Sequence, residues 1–264
     1  SSILKNFTII YFDKLRNRFS SAEFENILEE SDMELEKIKK WLKDVAKEYL
    51  KNNFKQEVRK HIDDFLRTNT KLFYNERDFQ INLAFFLKNT NYYDNVLLEY
   101  SLPASTMLNF SDIRIDIVLV KENLYFPIEL KYKTKKVLGN LNRFGKTFSN
   151  VEVLKNQAAQ NIGRYSFWKD VERLEAVKKR FINIDTGFCI FLTNDAYYKK
   201  SPQGASGAFT MEAGTELTGN VNWKTPVTIA DYYPKIAFEG KYKIEKWDNV
   251  KNEGIDFYYT IVEV

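Results

Sequence analysis

Apolar positions in this chain follow two periods, and the change from one to the other organises it. Residues 1–19 mix apolar and basic positions and predict a short helix or strand. Ser20-Ser-Ala-Glu23 and Ser31-Asp-Met-Glu34 have the form of capping boxes, whose side chains satisfy the first free N–H groups of a helix, so each predicts a helix start. Leu35, Ile38, Leu42, Val45 and Tyr49 then recur at helical spacing. Asn52-Asn53 reads as a stop, and a further helix over 54–68 carries Phe54, Val58, Ile62, Phe65 and Leu66. Asn75 is placed to cap an amphipathic helix over 76–88, with Glu76, Gln80, Leu83 and Leu87 close to one face.

Beyond this helix the period falls to two. A strand over 96–102 contains Glu99, and a loop over 103–109 follows. Two apolar runs, Arg114–Val120 and Leu124–Lys131, flank the turn signal Lys121-Glu122-Asn123 and predict a hairpin. Both carry acidic residues where a buried strand normally has none. Alternation puts Glu129 and Lys131 on one side, and pairing of the runs brings Asp116 next to Glu129.

The chain then turns basic. Lys133, Lys135, Lys136, Arg143 and Lys146 surround Gly139 and Gly145 and read as a flexible loop able to touch a nucleic-acid backbone. The loop ends in Gly-Lys-Thr147, but five residues separate its glycines where a phosphate-binding loop has four. Ser149-Asn-Val-Glu152 is a third capping-box pattern, predicting a helix through Gln157-Ala-Ala-Gln-Asn161 to Tyr165 that continues over 167–177. On it Gln157, Gln160, Asn161 and Arg164 share a face. Gly187–Thr193 is continuously apolar and predicts a buried strand. Residues 194–228, rich in Gly, Ser, Thr, Asn and Pro, read as a long loop, and 236–246 with 255–264 as a terminal hairpin. This order predicts an α/β domain over 71–264, a mixed sheet flanked by helices, preceded by a helical region over 1–70.

Composition narrows the chemistry. With one cysteine, Cys189, and one histidine, His61, internal disulfides, cysteine zinc sites and paired-histidine hydrolases are excluded. Cys189 sits in an apolar run and reads as a buried thiol, and His61 as a packing or surface residue. A net charge of +4 permits a polyanionic partner without requiring one. No apolar stretch approaches the ~20 residues of a membrane span, and no signal-peptide pattern opens the chain, so the expected compartment is the cytoplasm.

Asp116 and Glu129 beside the Lys131 ammonium have the make-up of a hard-cation site, because Mg²⁺ takes a few oxygen ligands and keeps several waters. With Glu76 on the preceding helix and a glutamine on the following one, this pattern resembles the restriction-endonuclease-like superfamily, the PD-(D/E)xK nucleases. Asp116 and Glu129-Leu-Lys131 stand for the acid and the Glu-x-Lys triplet, 13 positions apart. Gln157 or Gln160 matches the helical glutamine, and Ile115 stands where proline is frequent. The resemblance covers about 72–195; the 1–70 segment and the terminal hairpin lie outside it.

It implies a Mg²⁺-dependent DNA endonuclease of a defence, repair or mobile-element system, with Mn²⁺ as a substitute and RNA not excluded. Asp116 and Glu129, with the Leu130 carbonyl and Glu76, would hold the ion. Lys131 would hydrogen-bond the attacking hydroxide, and Gln157 would orient the phosphate or the water. Lys133, Lys135, Lys136, Arg143, Lys146 and Arg164 would bind nucleic acid, and cutting both strands of a duplex would favour a homodimer.

Plainer roles exist for each residue. Glu76 suits a helix N-terminus by its charge alone, Gln157 suits a solvated helix face, and Arg114 could hold Asp116 in a structural pair. Asp112 shares the parity of Asp116 and is its alternative, while Glu99 reads as an edge-strand charge. The rival functions are an inactive nucleic-acid-binding protein or a protein-interaction module on the same fold.

Overall fold

The structure, a computed structural model, describes residues 31–107, 112–157, 159–224 and 232–264. The expectations for 1–30 lie outside them. The chain divides into two compact units, Ser1–Glu57 and Val58–Val264.

Helix α1 spans Ser31–Thr68 without a break, so the stop expected at Asn52-Asn53 is absent. No glycine or proline lies in this stretch, and an asparagine inside a helix costs only about 0.7 kcal/mol relative to alanine. Asn52 moreover turns its amide to the Glu48 carboxylate one turn back.

In the larger unit, α2 (Glu76–Asn89) starts where expected. Asn75 is its cap, its side-chain oxygen accepting the Asp78 N–H at 2.8 Å. Strands β1 (Asn95–Leu102), β2 (Ile113–Lys121) and β3 (Leu124–Lys133) form an antiparallel meander. Helix α3 (Gln160–Arg180) then crosses to β6 (Phe188–Thr193), which lies parallel to β3. The main sheet has the order β1-β2-β3-β6-β10-β9, with β9 (Asp248–Asn252) and β10 (Ile255–Glu263) closing one side. The fold is therefore mixed α/β around a mixed central sheet.

Side-chain alternation along β3 assigns the two covering layers. Tyr132 packs on Phe73 and Phe79 on the α2 side, whereas Glu129, of opposite parity, meets Arg173 of α3. Under α3 lies an apolar cluster including Phe167, Trp168, Val171, Leu174, Phe191 and Val262. Cys189 is buried in it, and burial raises its thiol pKa well above the usual range, in keeping with an inert packing role. His61 bonds the Tyr93 hydroxyl through Nδ1 at 2.9 Å and packs edge-on to Tyr92, the packing role expected of it.

Four expectations from local pattern need correction. The basic stretch after Lys133 is a β-hairpin, β4 (Val137–Arg143) and β5 (Lys146–Leu154), and no helix starts at Ser149. The Ser-x-x-Glu spacing there lies on a strand; α3 begins later, at Gln160. The stretch 194–228 contains 3₁₀ turns and a strand, β7 (Glu216–Val221). That strand pairs with β8 (Ile236–Lys243), so β8 is not the partner of β10. The partner of β10 is β9, joined through Glu253-Gly254, both with positive φ as a tight hairpin turn needs.

Candidate active site

The site lies where β2 and β3 separate. Their ladder ends at Ile117↔Ile128, so Asp116 and Glu129 are the first positions past it. From there β2 continues to pair with β1 alone. That leaves N–H groups of β3 without a strand partner, and unpaired buried amides are costly. Carboxylates take them: Asp116 Oδ2 accepts the Leu130 N–H at 2.7 Å, and Glu76 Oε2 accepts the Tyr132 N–H at 2.8 Å.

The backbone is distorted at the same level. Glu99 of β1, across from Asp116, has a φ of 52°, and the ladder skips this pair. Ile115 and Val118, three apart, both join the cluster under α3, so strict alternation fails between them. A left-handed backbone at glutamate is strained, and such strain persists only where neighbours impose it. Gln80, one turn after Glu76, is one such neighbour. Its amide donates to the Asp116 carbonyl at 2.7 Å and to Glu99 Oε1 at 2.9 Å.

These residues border an open cleft of about 590 Å³ lined by Asn75, Glu76, Arg77, Gln80, Glu99, Asp116, Tyr132, Lys133 and Gln157. Glu76, Asp116 and Gln157 thus come together, although Gln157 precedes α3 instead of lying on it. Its main-chain N–H is fixed on the Thr134 carbonyl, and its side-chain oxygen is buried with no hydrogen-bond donor among the described residues. Gln160, the alternative, turns away to Asp195.

Glu129 and Lys131 are engaged on the α3 side. Glu129 Oε1 meets Arg173 Nη2 at 2.7 Å, Arg173 Nη2 meets Asp170 Oδ1 at 2.8 Å, and Asp170 Oδ2 meets Lys131 Nζ at 2.5 Å. The two carboxylates of this chain are nearly sealed from water, Glu129 at 2% and Asp170 at 4% exposed, while Lys131 and Arg173 keep a partly exposed edge. Lys131 also donates to the Leu130 carbonyl at 3.3 Å, the oxygen expected to serve a metal.

The electrostatics tie the two groups together. Burial raises the Asp116 pKa to about 6 against the Leu130 hydrogen bond and Lys131, while Glu76 and Asp170 add repulsion. Burial also holds Glu129 well above the usual carboxylate range, with Asp170 reinforcing and Arg173 opposing. For Lys131, burial works against the charged form, yet Asp170, Glu76 and Glu129 keep its pKa above the ordinary lysine value.

The Asp116 shift has a measurable consequence. A carboxyl whose pKa rises on folding costs stability progressively as pH climbs from the unfolded value, 3.8, through about 6. At pH 8 the cost is at most about 3 kcal/mol. Asp116→Asn keeps an acceptor for Leu130 and removes the charge. In EDTA it is expected to melt higher than wild type at pH 8 and no higher at pH 4; parallel curves at both pH values would contradict this.

Among the remaining candidates, Arg164 is corrected. It is fully buried, its guanidinium bonding the Tyr197 and Tyr198 carbonyls at 2.6 and 3.0 Å, so it does not meet a nucleic-acid backbone. Lys133 lines the cleft, Lys135 pairs with Asp195, and Lys136 with Glu152. Arg143 stacks over the Tyr74 ring, and Lys146 lies near Phe148. Arg114 pairs with Glu99, not Asp116, and Asp112 accepts the Ala104 N–H at 2.7 Å.

The sequence reading missed Asp170, Arg173, Gln80 and the part Glu99 plays. For Asp170 a signal existed: it falls within the helical stripe Phe167, Val171, Leu174, where a solvated charge does not belong.

Asp116 and Glu76 supply hard oxygen donors to an open cleft, and the unpartnered Gln157 oxygen adds a third. That set suits Mg²⁺ or Mn²⁺ better than softer metals. Among the described residues, no three Asp, Glu, His or Cys side chains already form a ligand cage. Nor is any helix among them long and apolar enough to cross a membrane. No protein-family model, curated protein or solved structure matches the chain.

Proposed function

We propose that this protein is a divalent-metal-dependent nuclease on a restriction-endonuclease-like core, with DNA as its main substrate. The observation that supports this most is the point of strand separation. A helix, three antiparallel strands, a crossover helix and a strand parallel to the third place Asp116, Glu76 and Gln157 on one cleft. Glu129 and Lys131 stand within reach of the same field.

Asp116 and Glu76 would hold the ion, joined by the Leu130 carbonyl, while Glu129, paired with Arg173 on the α3 side, would act on it through its charge. Bound Mg²⁺ would supply a more acidic water and neutralise charge on the scissile phosphate. Lys131 is kept protonated and would favour a negatively charged nucleophile beside it. Gln157 Oε1 would accept from the attacking water and orient it. Lys133 at the cleft lip would attract the phosphate backbone.

The test is incubation with plasmid, single-stranded DNA and RNA in Mg²⁺ or Mn²⁺, beside Asp116→Asn. Cleavage that needs the ion and disappears in the variant supports the proposal; equal cleavage by both proteins refutes it.

The second reading, a nucleic-acid-binding protein without catalysis, draws on the ion-pair chain that ties Glu129 and Lys131 to α3. Calorimetry separates the two. Retained DNA binding with no heat on Mn²⁺ titration would favour it.

A further inference from the structure

The β4–β5 hairpin carries a side chain that its own fold does not explain. Its turn is Phe144-Gly145, set between the paired residues Arg143 and Lys146, and both turn residues have positive φ, 54° and 77°. Such turns favour asparagine or glycine at the first position, because a larger side chain crowds the neighbouring carbonyl. Phe144 bears that strain while completely exposed, at 106% of its reference area. Among the described residues, nothing covers its ring.

Its surroundings indicate what it meets. Residues 133–155 hold six cations, Lys133, Lys135, Lys136, Arg143, Lys146 and Lys155, against one acid, Glu152. The whole chain is +4, so the remainder is slightly negative and the positive excess lies here. The hairpin is also rooted at the cleft. Lys133, before β4, and Gln157, after β5, both line it. Near the tip, Arg143 sits 4.2 Å from the ring centroid of Tyr74, next to the cleft residues Asn75 and Glu76.

We infer that Phe144 is a stacking wedge for nucleic acid. It packs against an unstacked base while Arg143 and Lys146 hold the adjoining phosphates, and the strand is led toward Asp116. Aromatic stacking on bases is largely independent of sequence, and a base already free of its neighbours is the cheapest to capture. The favoured substrate class is therefore single-stranded, forked or flapped nucleic acid over an intact duplex. Delivery to the cleft rests on the nuclease reading; the stacking does not.

The test is fluorescence anisotropy of the full chain in EDTA, with a labelled single strand and the same sequence as a blunt duplex. Phe144→Ala is expected to weaken single-strand binding about tenfold, leave duplex binding nearly unchanged, and be rescued by Phe144→Trp. A 2-aminopurine base in the strand should report contact with wild type and lose it in Phe144→Ala. Equal affinities of wild type and Phe144→Ala for the single strand would overturn the inference. So would a fall in oligomer mass in Phe144→Ala with binding unchanged, which would mark the tip as a contact between copies. Reading binding in EDTA and cleavage separately in Mn²⁺ keeps the two proposals apart. Phe144-dependent binding without cleavage would remove the nuclease and keep the wedge. Cleavage with Phe144-independent binding would do the reverse.

Discussion

Arg173→Ala is expected to destabilise the metal-free fold by about 3–5 kcal/mol, the usual cost of stranding a buried charge. Arg173 is the link between two carboxylates that water scarcely reaches, Glu129 and Asp170. Without it, Lys131 alone faces both, and one of them must take a proton or draw in solvent. Chemical denaturation in EDTA at pH 8 measures the effect as a lowered midpoint. The double variant Glu129→Gln, Arg173→Met should recover most of the loss, since it removes the charge together with its partner. On the nuclease reading, excess Mn²⁺ should raise the melting temperature of Arg173→Ala more than that of wild type, because a cation bound nearby would offset part of the missing charge. Wild-type stability for Arg173→Ala would show that the ion-pair chain holds nothing together.

On the nuclease reading, Glu129→Gln is expected to lower metal-dependent cleavage by at least about 10²-fold, the scale seen when one group stabilising a transition state is removed. Its stability should stay near wild type, because the amide oxygen can still accept from Arg173. The split is what makes the variant informative: a properly folded chain that binds nucleic acid but does not cut. Single-turnover cleavage and thermal unfolding on the same sample measure both. Full activity of Glu129→Gln would remove Glu129 from the chemistry and leave its pair with Arg173 as purely structural.

The sequence was most legible where the code is local. Period-two alternation located β2 and β3, and Asn75 announced α2 through its own side chain. The pairing of β2 with β3 needed only a short turn, although the ladder stops at Ile117↔Ile128, before Asp116 and Glu129 meet. Longer-range facts were not readable. Nothing in Ile255–Val264 says that its neighbours are β6 and β9, because that pairing depends on where a distant crossover ends. The β4–β5 hairpin was concealed by its composition: mostly polar, with phenylalanine where asparagine usually signals a tight turn. Asp170 and Arg173 were passed over because charges on a helix are ordinarily solvated. Only the helix's burial against the sheet shows that these two point inward.

The parting of β2 from β3 sets a limit on how stable this protein can become. Continuing the ladder past Ile117↔Ile128 would add regular hydrogen bonds and free Asp116 and Glu76 from capping the β3 amides. It would also close the opening those carboxylates border. Variants selected for thermal tolerance alone should therefore drift toward a zipped sheet, with the cleft at its edge narrowed.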